Sequence, residues 1–139
     1  MKTIIIAEAG VNHNGSVKIA KKLVDIAKKA NADYVKFQSF CHQKLVTKKA
    51  SKAKYQKVNS TTNESQGKML QRLQLSKSGH MEILQYCKKK KIKFLSTAFD
   101  IDNLKFLLKK KIDFIKIPSG EITNLPLLKF ISKQKKKFY

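Results

Sequence analysis

Residues 93–117, KFLSTAFDIDNLKFLLKKKIDFIKI, contain the pattern that decides the fold. Two short apolar runs, residues 93–99 and 113–117, have the length and the aromatic and β-branched content of buried strands. Between them Asp100 is a candidate helix N-cap, and leucines then recur at helical spacing. A strand, a helix and a second strand in this order predict a β-α-β unit with parallel strands.

The same alternation extends towards the N-terminus and beyond this unit. Strands are predicted over residues 3–9 and 33–38. Helices are predicted after the candidate N-cap Ser16, from residue 75 onward, and after Asn124. The resulting order, β-α-β-α-β-α-β-α, predicts an α/β fold with a parallel sheet and helices packed outside it.

One segment does not fit this pattern. Residues 47–68 are polar and have no clear period, so they are predicted to form a long loop. Loops of this length inside a compact domain are usually functional. The chain has 139 residues and no break in composition, and we therefore expect one domain.

The charge balance is strongly basic. Lys and Arg number 31 against 9 acidic residues, which gives a formal net charge of +22. Such a charge suits a nucleic-acid-binding module, but Arg72 is the only arginine, and arginine is the residue that binds phosphates bidentately. The lysine runs fall at the ends of predicted helices, where they suit the helix dipole. We favour a solvated lysine surface over a nucleic-acid partner.

Cysteine usage and the N-terminus exclude other classes. Cys41 and Cys87 form no C-x-x-C motif and no cluster with histidine, which excludes a disulfide scaffold and a zinc finger. The apolar stretch at residues 4–7 is too short for a signal peptide or a membrane span. We expect a cytoplasmic protein without a membrane partner.

Polar residues occur where each predicted strand ends. They are Glu8, Lys36, Gln38, Ser96, Thr97, Lys116, Ser119 and Glu121. In a (β/α) barrel the active site lies at the carboxyl ends of the strands, so these side chains are expected to converge. Burying Lys36 and Lys116 without a partner would be costly, and an anionic ligand between them is the simplest partner.

Five strings in register resemble the N-terminal half of the sialic acid synthase family, which includes N-acetylneuraminate and legionaminate synthases. The strings are IAEAGVNHNG (6–15), YVKFQ (34–38), ML-x-x-L-x-LS (69–76), FLSTAFD (94–100) and IKIPSGEITNLPLL (115–128). The resemblance implies a (β/α)8 TIM-barrel fold truncated to about its first four β/α units. Residues 1–139 would then be the N-terminal half of the barrel, without the C-terminal half and the family's antifreeze-like domain.

The resemblance also implies a transferase activity. The family condenses phosphoenolpyruvate with an N-acetylated mannosamine-type sugar, which forms a nine-carbon keto acid and releases phosphate. With half of the barrel missing, we expect this chain to be inactive alone. The alternative within the same fold is a related deoxy-sugar-acid synthase that also uses phosphoenolpyruvate, although the NHNG and SGEIT strings argue against it.

Residue roles follow from the resemblance position by position. The positions expected to hold the phosphate and carboxylate of phosphoenolpyruvate are Lys36, Thr97, Lys116 and Ser119. Glu8 matches a catalytic carboxylate that faces the amino sugar.

Three further positions match the sugar side of the site. Gln38 and Glu121 match positions that hydrogen-bond the sugar or aid proton transfer, and Asn59 matches a sugar-contacting asparagine. The family uses a divalent metal, Mn²⁺ or Mg²⁺, whose ligands are expected outside this chain, and full-length members are expected to be homodimers.

Several of these residues also have a purely structural interpretation. Glu8 could instead form an ion pair with Lys36 inside the barrel, although we favour the functional role. His13 is interpreted as a loop hydrogen-bonding residue and His80 as a surface residue. The two cysteines are interpreted as structural thiols.

Overall fold

The computed structural model describes residues 3–47 and 64–139, which form helices and strands in alternation. The strands are β1 (Ile6–Gly10), β2 (Tyr34–Ser39) and β3 (Lys93–Ala98). The helices are α1 (Val17–Lys29), α2 (His42–Leu45), α3 (Gln66–Leu73), α4 (Lys77–Lys90), α5 (Ile101–Lys109) and α6 (Leu125–Ser132). No helix of this described part is long and apolar enough to cross a bilayer.

The sheet formed by the described residues is parallel, in the order β1-β2-β3. Glu8 pairs with Lys36 in the first ladder, and Gln38 pairs with Thr97 in the second. A bulge between Glu8 and Gly10 shifts the register at the end of β1. The parallel arrangement predicted from the β-α-β pattern is therefore confirmed for these three strands.

The predicted helix starts are confirmed by their capping bonds. The Ser16 hydroxyl accepts from the Ile19 N–H at 3.3 Å, and the Asp100 carboxylate accepts from the Asn103 N–H at 2.9 Å. The Asn124 side chain accepts from the Leu127 N–H, in the first turn of α6, at 3.2 Å. Lysines occupy the last turns of α1, α4 and α5, as the dipole argument predicts.

Two helices cover one face of the sheet. α1 contributes Ala20 and Val24, and α4 contributes Ile83, to a buried layer over Val35 and Phe37 of β2. These β2 residues alternate with Lys36 and Gln38, which the pleat directs to the opposite face. The core formed with α1 and α4 therefore lies on one side of the sheet, and Lys36 and Gln38 project from the other.

The first strand begins later than predicted. β1 starts at Ile6, and Ile4 and Ile5 before it are 55% and 53% exposed. They are apolar, but β1 is an edge strand whose inner face has no cover among the described residues. The strand predicted over residues 3–9 is therefore shorter than expected, because its first residues lack cover in the described part of the chain.

The segment 113–117, predicted as a fourth strand, does not join the sheet of the described residues. It makes an isolated parallel bridge between Ile115 and Phe138. The Ile117 N–H donates to the Tyr139 carbonyl at 2.7 Å, and the Tyr139 N–H donates to the Ile115 carbonyl at 2.9 Å. The backbone groups of Ile115 and Ile117 therefore form hydrogen bonds with the last residues of the chain.

Side chains nevertheless hold this segment against β2 and β3. The Asp113 carboxylate accepts from the Tyr34 hydroxyl at 2.5 Å and from Lys93 Nζ at 2.8 Å. Phe114 packs edge to face on Tyr34, with 5.4 Å between ring centroids, and shares a small core with Leu95. The segment therefore lies where a fourth strand would, without its hydrogen-bond ladder.

The loop predicted over residues 47–68 is shorter than expected. α3 begins at Gln66, with Ser65 as N-cap, so the C-terminal part of the predicted loop is helical. The short helix α2 before it was not predicted. Residues 48–63 of the predicted loop lie outside the described residues.

The turns that lead into β2, β3 and segment 113–117 share one construction. Asn31, Lys91 and Lys111 each have a positive φ, between 53° and 58°. Each is followed by one buried apolar residue, namely Ala32, Ile92 or Ile112. A left-handed residue at this position ends the helix, and the residue after it enters the core.

Candidate active site

Six of the predicted site residues line one cleft at the carboxyl ends of the strands. They are Glu8, Lys36, Gln38, Thr97, Lys116 and Ser119. The cleft has a volume of about 350 Å³, within the range of small-molecule sites. The convergence expected from the strand ends is therefore observed for these residues.

Glu8 and Lys36 form an ion pair within the cleft. Their Cα atoms are register partners in the β1–β2 ladder, which places both side chains on the same face. The Lys36 side chain is only 14% exposed, whereas that of Glu8 is 52% exposed. The ion pair with Lys36 that was considered for Glu8 is therefore present. The half-exposed carboxylate of Glu8 is still accessible to a ligand.

Lys116 supplies the second ammonium group. Its Nζ donates to the carbonyl of Ile117 at 2.8 Å. Ser119 follows in a short 3-10 turn, Ser119–Glu121, whose side chains are not buried. A single carbonyl bond leaves an ammonium group with further donors, so Lys116 retains the capacity to bind an anion in the cleft.

The two lysines also line an apolar groove of about 500 Å³ that adjoins the cleft. Ile6, Leu95 and Phe114 are among its other lining residues. The aliphatic stems of the lysines can pack on this surface and keep the ammonium groups at its polar end. A weakly polarisable neighbourhood of this kind strengthens electrostatic attraction to an anion.

Thr97 contributes a buried hydroxyl. The residue is 3% exposed, and its Oγ1 has no hydrogen-bond partner among the described residues. Thr97 also lines the cleft, which places this hydroxyl, unpaired among the described residues, at the wall of the cleft.

We expect Thr97→Val to stabilise the chain by about 1 kcal/mol, because valine has the same shape and removes a desolvated hydroxyl. Ser96→Ala is the matched control: the Ser96 hydroxyl bonds Ser39 at 2.7 Å, so its loss should destabilise by about 1 kcal/mol. Denaturant unfolding of both variants measures the sign. Equal destabilisation by both would show that Thr97 is satisfied within the chain.

Gly10 makes room for two cleft side chains. It has a φ of +54°, and a Cβ at this position would lie 3.3 Å from Glu8 Oε1 and 3.7 Å from Gln38 Nε2. The bulge in β1 and the missing side chain together let Glu8 and Gln38 approach each other.

Three of the residues predicted at the site are not among the described cleft residues. Ser96 directly precedes Thr97 in β3, so its side chain lies on the opposite face of the sheet, and the expectation that it converges on the cleft is wrong. Glu121 accepts a hydrogen bond from the Asn124 side chain at 2.5 Å and does not line the cleft. Asn59 lies outside the described residues. The roles of Glu121 and Asn59 therefore remain predictions.

Sequence reasoning missed five residues that line the cleft, namely Gly10, Val11, Asn12, Phe99 and Pro118. Asn12 and Phe99 are the ones with side chains of evident use to a ligand. Asn12 lies in the NHNG string directly after β1, and Phe99 directly follows β3. Both residues could have been found from their position after a strand. The expectation of a site at the strand ends, however, considered only charged and hydroxyl side chains and Gln38.

Of the two histidines interpreted from the sequence, His13 has the expected environment and His80 does not. The His13 Nδ1 accepts from the Gly15 N–H at 3.0 Å, which confirms its interpretation as a loop hydrogen-bonding residue. His80 is 4% exposed, so its interpretation as a surface residue is wrong. It opens α4, and the start of that helix packs against the end of β2 rather than facing solvent.

The cysteine thiols and the possible metal ligands are two further sets of groups with potential chemistry. Both cysteines are free, and burial raises the pKa of the Cys87 thiol to about 12, which suits a structural role. Within residues 3–47 and 64–139, no group of three or more His, Cys, Asp or Glu side chains could hold a metal ion. The described residues therefore do not by themselves form a metal site.

Comparison with known proteins decides the family. The sequence profile of the NeuB family matches residues 23–139, which is most of the chain. The chain belongs to the NeuB family. The resemblance to sialic acid synthases drawn from the five strings is thereby confirmed.

Relatives within the NeuB family are close in sequence. The chain is 51% identical over 136 residues to the N,N'-diacetyllegionaminic acid synthase of Campylobacter jejuni, covering 98% of this chain and 41% of that protein. It is 45% identical to the enzyme of the same name from Legionella pneumophila, covering 97% and 38%. The chain thus spans about two fifths of the length of these relatives.

A solved structure gives the same result for the NeuB fold. The sialic acid synthetase of Leptospira borgpetersenii, determined in complex with citrate, superposes with a TM-score of 0.74 at 26% identity, over 91% of this chain and 40% of that one. The described α/β structure therefore corresponds to a piece of that enzyme's fold.

Proposed function

We propose that this chain carries the phosphoenolpyruvate-binding part of a synthase that condenses phosphoenolpyruvate with an N-acetylated amino sugar. The observation that carries the proposal is the cleft, in which Lys36 and Lys116 converge with the hydroxyls of Thr97 and Ser119. Two ammonium groups and two hydroxyls match the phosphate and carboxylate of this ligand. The names of the two relatives described above support the amino sugar class.

Both lysines have partners within the chain that an anion in the cleft would displace. An anion in the cleft replaces the Ile117 carbonyl as the main partner of Lys116 and competes with Glu8 for Lys36. Glu8 is then freed to accept hydrogen bonds from the hydroxyls of the sugar, together with Gln38 beside it. Both substrates are thereby placed on the same end of the sheet.

In the complete enzyme, C3 of phosphoenolpyruvate attacks the carbonyl carbon of the open-chain sugar, and the carbonyl oxygen takes up a proton. Water adds to C2, and the resulting tetrahedral intermediate expels inorganic phosphate. Lys36 and Lys116 stabilise the negative charge on the phosphate and carboxylate throughout these steps. Because the chain spans about two fifths of its relatives, we propose that it binds phosphoenolpyruvate without completing the reaction alone.

We expect Lys116→Ala to weaken phosphoenolpyruvate binding by about tenfold or more, the loss expected for one charged hydrogen bond. Isothermal calorimetry on the chain measures this. Lys129→Ala is the matched control, because it removes the same charge from an exposed position on α6. Equal affinities for the wild-type chain and Lys116→Ala would contradict the assignment of the cleft.

A further inference from the structure

A line of buried polar side chains lies behind the cleft, between the sheet and α4. His80 Nε2 is 2.8 Å from Ser39 Oγ, and Ser39 Oγ is 2.7 Å from Ser96 Oγ. His80 Nδ1 is 3.0 Å from the Ser76 carbonyl. All three side chains are at least 96% buried. The line thus links the start of α4 to the ends of β2 and β3.

The partners determine where the protons lie. The Ser76 carbonyl can only accept, so His80 Nδ1 carries the proton and donates to it. In the neutral ring, Nε2 then accepts from the Ser39 hydroxyl, which in turn accepts from Ser96. Burial lowers the pKa of His80, against the Ser76 and Gln38 carbonyls that favour the charged ring. His80 therefore acts as a neutral hydrogen-bonding group.

A serine bonded to an oriented histidine is also the arrangement of an activated nucleophile. Ser39 has no exposed surface, however, and its side chain faces the helix layer rather than the cleft. No substrate reaches its hydroxyl in this position. The line is suited to holding backbone in place instead.

The backbone that it holds belongs to the cleft. Ser39, whose hydroxyl donates to His80 Nε2, directly follows Gln38 in β2. Ser96 directly precedes Thr97, and Gln38 and Thr97 are register partners. A side chain that fixes Ser39 and Ser96 therefore also fixes the two strand ends from which Gln38 and Thr97 enter the cleft.

We propose that His80 is a positioning residue for the substrate cleft, acting through Ser39 and Ser96 on the ends of β2 and β3. This inference rests on the proposed function for the identity of the ligand. It concerns a residue that does not touch the ligand, since His80 lies on the helix side of the sheet and does not line the cleft.

Two substitutions separate positioning from simple packing. His80→Phe keeps a ring that can pack on Phe106, whose centroid is 6.3 Å from that of His80, but it leaves Ser39 without its acceptor. His80→Gln loses the ring but offers an oxygen that can accept from the Ser39 hydroxyl. Packing alone favours the phenylalanine variant, and positioning favours the glutamine variant.

We expect His80→Phe to weaken phosphoenolpyruvate binding about tenfold and His80→Gln to bind within about twofold of wild type, measured by calorimetry on the whole chain. Gln85→Ala, exposed on the same helix, is the control and should bind as wild type. Ser39→Ala gives a second measure if His80→Phe does not fold, with an expected loss of several-fold. Wild-type affinity in a folded His80→Phe or in Ser39→Ala, or an equal loss in His80→Gln and His80→Phe, would overturn the proposal.

Backbone amide NMR shifts of the ligand-free variants distinguish this inference from the proposed function. Positioning predicts that His80→Phe shifts the amides of Gln38, Ser39 and Thr97 more than His80→Gln does. If the wild-type chain binds no phosphoenolpyruvate, the proposed function fails, and these shifts still decide whether His80 holds the strand ends. Equal or smaller shifts in His80→Phe would overturn the inference independently of ligand binding.

Discussion

At pH 4 the chain is expected to be about 3 kcal/mol less stable than at pH 7 through His13 alone. His13 has no exposed surface, and the Gly15 N–H donates to its Nδ1. Its Nε2 has no partner among the described residues. Burial, with a smaller contribution from His80, lowers the pKa of His13 from 6.5 to about 4.

The sign follows from where each state takes up its proton. The unfolded chain protonates His13 near pH 6.5, whereas the folded chain keeps it neutral down to about pH 4. Between these values the unfolded state binds more protons, so stability is fully present above pH 6.5 and is lost as the pH falls. The lowered pKa of His80 adds a loss of the same sign.

Denaturant unfolding at pH 7, 5.5 and 4 measures this loss. His13→Asn is the informative variant, because its side-chain oxygen can still accept from the Gly15 N–H and does not titrate in this range. The variant should be less stable at pH 7 but should lose less stability towards pH 4. A wild-type unfolding free energy that stays constant from pH 6.5 to 4 would contradict the prediction.

Gly15→Ala is expected to destabilise the chain by about 3 kcal/mol or more. Gly15 has a φ of +77°, which side chains rarely adopt. A Cβ there would lie 2.3 Å from the backbone carbonyl oxygen of Arg72, at the end of α3. Since that atom is backbone, relief requires α3 to move away from the loop after β1.

Gly67→Ala is the matched control for this substitution. Gly67 lies within α3, and the nearest contact of an added Cβ would be Val46 Cγ2, at 3.9 Å. Alanine in a helix should leave stability unchanged or raise it by up to about 1 kcal/mol. Thermal and denaturant unfolding of both variants gives the comparison, and a Gly15→Ala chain as stable as wild type would show that α3 does not pack on this loop.

The sequence allowed the helix starts and the three paired strands to be predicted because their signals are local. A cap such as Asp100 acts within three residues, and alternating polarity in β2 reports directly which face is buried. The six cleft residues followed from the rule that parallel strands deliver their carboxyl ends to one side. Each of these inferences needed only a short stretch of chain.

The failures at segment 113–117, His80 and Ile4 depend on groups distant in sequence. Segment 113–117 has the composition of a strand, but its backbone bonds go to residues 137–139. His80 has polar neighbours in sequence, and only the approach of α4 to the end of β2 buries it. The exposure of Ile4 arises because an edge strand lacks a neighbour. Local composition carries no information about such partners.

The common construction of the three turns at Asn31, Lys91 and Lys111 contrasts with the diversity of the connections at the opposite end of the sheet. The turns at one end of the sheet share one construction. The connections at the other end differ in length and composition, and they bear the cleft. The three turns contribute no residue to the cleft, whereas the loop after β1 contributes both a cleft residue, Asn12, and the stabilising groups His13 and Gly15. A substitution in one of the three turns can therefore change stability without touching a ligand, whereas a substitution in the connections at the cleft can change both.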